Sequence, residues 1–86
     1  MEYIGKTKMR DILAEIKGKE TFKEMREKLG WNHTIMSLIV QEKRIMNPKQ
    51  YKDIKRIYDP SAELLNKLIY KILVQVDEKT RERYLS

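Results

Sequence analysis

Residues 20–44, ETFKEMREKLGWNHTIMSLIVQEKR, hold two short amphipathic stretches separated by a glycine. In the first, about 21–29, Phe22, Met25 and Leu29 recur at helical spacing and form one apolar stripe. Thr21 followed by Glu24 three residues on has the form of a capping box. Gly30 stands where a helix end needs a left-handed backbone, which glycine adopts at little cost. Asn32 is a credible N-cap for the next helix, because its side chain can accept from an orphan backbone N–H. The link between the helices is therefore Gly30 to Asn32. The next helix is predicted from about 33 to 43. Ile35 and Ile39 point inward there, flanked by Met36 and Leu38. His33, Ser37, Gln41 and Arg44 share the opposite arc, with Thr34 beside it. Two short helices joined by so tight a turn make the geometry by which a second helix enters a DNA groove.

The surrounding chain fits one small all-α domain spanning residues 1–86, with about five helices, a helix-turn-helix core at about 21–44 and a C-terminal helix at about 60–77. Upstream, Met9, Ile12, Leu13 and Ile16 lie at i, i+3, i+4 and i+7, with Thr7 as the expected cap and Gly18 closing the helix. Downstream, Pro48 suits a first helical position. From it, Tyr51, Ile54 and Ile57 or Tyr58 form an inward stripe among Lys49, Lys52, Lys55 and Arg56. Asp59-Pro60 breaks this helix, since a residue before proline is pushed out of the α region. Asp59 then caps the most apolar segment, which carries Leu64, Leu65, Leu68, Ile69, Ile72, Leu73 and Val76, with Tyr70 and Val74 outside the apolar arc. The mixed-charge ending DEKTRERYLS reads as a continuation of that helix or as a frayed end.

Composition narrows the function classes. The chain has 86 residues and a formal charge of +6, which suits a polyanionic partner. It contains no cysteine and a single histidine, so a disulfide scaffold and a thiolate zinc site are excluded and no metal cluster is expected. No apolar run is long enough to span a bilayer, and the start, MEYIGKTKMRDIL, lacks the apolar region of a signal peptide. A cytoplasmic protein without membrane association is expected. No nucleophile–base pair, phosphate-cradling glycine loop or metal spacing is present, so neither an enzyme nor a cofactor is implied, and no small-molecule site is evident.

The stretch from about 21 to 58 resembles the Cro/repressor-like (XRE-type) helix-turn-helix family, over a little under half of the chain. The carrying residues are Met25 in a leucine position, Leu29-Gly30, the polar opening Trp31-Asn32-His33-Thr34, then Met36, Ser37, Ile39, the basic pair Lys43-Arg44 and Pro48. Two residues depart from the pattern. Arg26 stands where the family has a small residue at the close approach of the two helices, implying a wider crossing or a register shifted by one. Phe22 replaces a glutamine that bonds a phosphate, so that contact is lost or passes to Thr21 or Lys23.

Together the turn, the charge and the resemblance imply a small double-stranded DNA-binding regulator of repressor type. His33, Thr34, Ser37 and Gln41 are the expected base contacts, glutamine being able to pair bidentately with adenine. Thr21, Lys23, Asn32, Lys43, Arg44 and Lys49 are the expected phosphate contacts, which fix register without carrying sequence information. Lys55 and Arg56 read as an ordinary solvated face, and Trp31 as a core seal over the turn. Ile69, Tyr70, Leu73, Val74 and Val76 form a surface broader than one packing face needs, and are the expected homodimer seam. The same residues also admit a protein-interaction module of this fold, such as a viral antagonist or modulator, and an excisionase-like factor that bends DNA.

Overall fold

The computed structural model describes residues 7–86, so the first six residues of the segment read for a targeting signal lie outside it. Six helices follow in order: α1 Met9–Lys17, α2 Phe22–Leu29, α3 His33–Val40, α4 Pro48–Tyr58, α5 Ala62–Leu73 and α6 Glu78–Leu85. There is no strand among the described residues, and no helix there is long and apolar enough to cross a membrane. Helix α1 packs on α2, α3 and α5, while α4 packs on α2 and α6. Ile12, Leu13, Met25, Ile39, Met46, Ile54, Leu68 and Ile72 are fully buried where these helices meet.

The ends of the helices follow from local chemistry. The Thr21 hydroxyl accepts from the Glu24 N–H at 3.1 Å, and the Glu24 carboxylate accepts from the Thr21 N–H at 2.9 Å, completing the expected box. Gly30 takes φ 74°, with its own N–H on Glu27 and that of Trp31 on Arg26, a Schellman closure. Asn32 accepts from Ile35 N–H at 2.8 Å and opens α3. Asn47 opens α4 with Pro48 at its first turn and Gln50 completing a second box.

The structure corrects several sequence expectations. There are six helices among the described residues rather than about five. Lys8, not Thr7, occupies the α1 cap position, and it makes no side-chain bond. Asp59 does not cap the fifth helix. It closes α4 in the left-handed region at φ 44°, and Ser61 caps α5 by accepting from Leu64 N–H at 3.3 Å. Helix α3 stops at Val40 rather than near 43, because Glu42 turns left-handed at φ 61° and the Lys43 N–H bonds back to Leu38 at 2.9 Å. Arg44 therefore lies beyond the helix and not on its face. Met36 is buried, while Ile35, expected inward, is only half-buried. The C-terminal helix is shorter than 60–77: it ends at Leu73, and Asp77 caps a separate α6 by accepting from Thr80 N–H at 2.8 Å. The Arg81 guanidinium donates to the Leu73 and Val76 carbonyls at 2.9 and 3.3 Å, satisfying the end of α5.

Glu42 shows why a non-glycine residue is held at a left-handed position. Its carboxylate pairs with Lys71 of α5 at 2.8 Å and accepts from the Met9 N–H at the start of α1 at 3.4 Å. The end of α3 is thereby tied to two other helices, which offsets a backbone cost of order 1–2 kcal/mol.

Glu20, in the α1–α2 connection, ties α2 to α4. It pairs with Lys28 and accepts from the Tyr58 hydroxyl at 2.8 Å. The Lys28 bond, then that of Tyr58, hold its carboxyl below the usual value of 4.5. The backbone and side chain of Thr80 do the same for Asp77 relative to 3.8. A depressed folded value means stability that is present above the ordinary value and lost as pH falls through the folded one. Folding stability is therefore expected to decline as pH drops below 4.5. Burial raises the hydroxyls of Tyr51, Tyr58 and Tyr84 above 10.0, with Glu20 adding to the shift at Tyr58, so a second decline is expected above pH 10.0. Urea midpoints measured across pH check both limbs. Glu20→Gln should flatten the upper part of the acid limb, and an unchanged limb in that variant would remove Glu20 as its source.

Candidate nucleic-acid interface

The polar arc expected on the third helix is present. His33 and Thr34 are exposed in its first turn, Ser37 is half-buried and Gln41 is exposed at its C-cap. The Gln41 amide nitrogen donates to the Ser37 hydroxyl at 2.8 Å. That bond uses one of two amide hydrogens and fixes the side chain against the helix. The second hydrogen and the amide oxygen remain, which is the donor–acceptor pair that reading an adenine edge requires.

His33, Ser37 and Gln41 also line an open groove of about 440 Å³ between α2 and α3, together with Phe22, Lys23, Arg26, Met36 and Val40. Thr34 does not line it. Phe22, Arg26, Met36 and Val40 belong to this surface but were not among the expected contacts. Val40 was legible, lying one heptad from His33 and one turn from Ser37. Arg26 was legible only as a departure from the small residue expected where the helices meet. A half-buried arginine there lines the groove. The ring of Phe22 is half-buried under the Lys17 ammonium, which sits 4.8 Å from its centroid.

The expected phosphate contacts fall into three places. Thr21 and Lys23 sit at the start of α2. The Thr21 N–H is already engaged by the Glu24 carboxylate, which sets a negative charge where a phosphate would approach. Lys23 is exposed on the groove wall. Asn32 is exposed at the start of α3, its side-chain oxygen committed to capping. Lys43 and Arg44 are exposed in the α3–α4 connection, with no ion pair among the described residues. Lys49 opens α4 and reaches Asp53 at 3.3 Å, and Arg56 shares that carboxylate at 3.2 Å. The Lys49 side chain is 85% exposed, so this pair holds it by only a few tenths of a kcal/mol and releases it readily.

The helix starts differ in a way that bears on anions. Helices α1, α2, α5 and α6 each carry an acidic residue in the first turn. Helices α3 and α4 carry none. Their orphan N–H groups and positive dipole ends are thus the two not already met by a carboxylate.

The residues expected to pair subunits divide. Ile69, Leu73 and Val76 are half-buried against the protein's own core. Tyr70 on α5 and Val74 at its C-cap, four residues apart, are 48% and 52% exposed. No protein-family model, curated protein or solved structure matches the chain.

Proposed function

We propose that this protein binds double-stranded DNA with sequence preference, as a small transcriptional regulator of repressor type, using α2 and α3 as its helix-turn-helix. The observation that carries the reading is the outer face of α3. His33, Thr34, Ser37 and Gln41 offer hydrogen-bonding groups on a helix capped by Asn32. Lys23 and Arg26 line the adjoining groove, in which no acidic residue stands, and Lys43 and Arg44 are exposed in the connection that follows α3. In this reading the Asn32 and Asn47 helix starts and the cations hold phosphates, while the α3 side chains meet base edges.

Specificity is tested at Gln41. Removing one bidentate contact costs roughly 1–3 kcal/mol at its own base pair. Selection on random duplexes should therefore return a motif for Gln41→Ala that is relaxed at one position, with non-specific affinity little changed. Identical motifs for wild type and variant would remove Gln41 from the reading face.

The proposal includes a homodimer, because one α3 reads only a few base pairs and two-fold half-sites lie about 34–36 Å apart. Tyr70 of α5 and Val74 at its C-cap are the exposed apolar residues left there for a partner copy. Sedimentation should show a wild-type dimer and a folded, monomeric Tyr70→Lys, Val74→Lys double variant. A monomeric wild type at micromolar concentration would dismiss the dimer.

A further inference from the structure

We infer that the α2–α3 groove is a binding site for a small organic acid, a carboxylate on an apolar body, and that its occupant competes with DNA. The inference rests on the DNA reading only for its second half. The floor is apolar, made by Phe22, Met36 and Val40, and Lys23, Arg26 and His33 stand beside it. Ser37 and Gln41 complete the lining, so no carboxylate opposes an incoming anion. An apolar lining with a few convergent polar groups is the ordinary make-up of a ligand site. The charge selects the class. Neither Lys23 nor Arg26 has an ion-pair partner among the described residues, and a planar guanidinium grips a carboxylate through two parallel bonds.

The size argues for a small molecule rather than a protein segment. About 440 Å³ lies within the range of sites that hold small ligands. A stable protein interface needs about 800 Å² from each partner, far more than eight lining residues on two short helices supply. Three of the four expected base contacts, His33, Ser37 and Gln41, border the groove, so an occupant covers them.

The test uses the full chain and three probes: 4-phenylbutyrate, its alcohol 4-phenylbutan-1-ol, and acetate. Amide and methyl resonances are followed, and Trp31, the one tryptophan, reports from the α2–α3 turn by fluorescence. The acid should give saturable shifts at Phe22, Arg26, Met36 and Val40. The alcohol should bind about tenfold more weakly for loss of a charge-assisted bond, and acetate should not saturate. Arg26→Gln should weaken the acid by about the same factor and leave the alcohol unchanged. Thermal melts confirm that this variant folds. Equal binding of acid and alcohol, absence of saturable shifts, or shifts centred on Tyr70 and Val74 would each overturn the site. A duplex is then added. Displacement by the acid supports competition, and simultaneous binding overturns it. A chain that takes the acid in the groove but binds no duplex at any salt keeps the site and loses the DNA reading.

Discussion

Tyr84→Ala is expected to destabilise the fold by roughly 3–5 kcal/mol, the range for deleting a buried aromatic side chain. Tyr84 is 4% exposed although only Leu85 and Ser86 follow it in the sequence. Its ring meets Tyr51 of α4 edge-on, with centroids 6.2 Å apart, and its hydroxyl donates to the Met46 carbonyl in the α3–α4 connection. Apart from Leu85, which is 66% exposed, helix α6 is otherwise polar, and Tyr84 is its one buried residue. Losing that residue therefore releases the helix and uncovers Tyr51 and Met46, which are 6% and 1% exposed. Small domains are stable by about 5–15 kcal/mol in total, so the loss takes a large share. Tyr84→Phe keeps the ring and deletes the hydroxyl, leaving the Met46 carbonyl without that donor. It should cost about 1–3 kcal/mol, less than the alanine variant, which loses the ring as well. Urea unfolding of both variants checks the pair. Equal, small losses would mean that α6 is not anchored through this ring.

That anchor shows where sequence reading stops. The capping residues Thr21 and Asn32, Pro48 at the start of α4 and the turn at Gly30 act within three or four residues of themselves, so local chemistry announces them. Asn47, the cap before Pro48, acts over the same range but reads in the sequence as part of a connection. Tyr84 and Met46 are 38 positions apart, as are Tyr58 and Glu20, and no local pattern announces such pairs. The α5–α6 break is hidden for another reason. Residues 74–77, Val-Gln-Val-Asp, contain no glycine or proline, and the stop is made by Asp77 capping forward and by Arg81 reaching back to Leu73 and Val76. Glu42 ends α3 in the conformation Gly30 uses to end α2, but its place is held by Lys71 and Met9 rather than by its own backbone freedom. The candidate interface divides along the same line. The polar arc of α3 follows from helical period. The groove beside it needed α2 to be set against α3, which brings Phe22 and Arg26 to Val40.

Affinity for duplex DNA should fall steeply with salt, and the slope should identify the cations that touch phosphate. Each neutralised phosphate contributes about 0.9 to the slope of log affinity against log salt, so contacts from Lys23, Lys43, Arg44 and Lys49 predict a slope of about −3.6 per protomer. Raising salt fourfold should then weaken binding by about a hundredfold. The four lysine and arginine residues are not equivalent. Lys49 must first leave Asp53, to which it is bound at 3.3 Å, whereas Lys43 and Arg44 have no competing ion pair among the described residues. The double variant Lys43→Ala, Arg44→Ala should therefore lose about 1.8 from the slope and bind every sequence more weakly by a similar factor, because phosphate contacts carry no base information. The fold should be unaffected, since both side chains are exposed in the connection and the turn there is made by backbone bonds to Leu38 and Ile39. Fluorescence anisotropy with one selected and one random duplex, across a salt series, measures both quantities. An unchanged slope and affinity in the double variant would take the α3–α4 connection out of the interface. A wild type whose retention is negligible and insensitive to salt would favour the protein-interaction class over DNA binding.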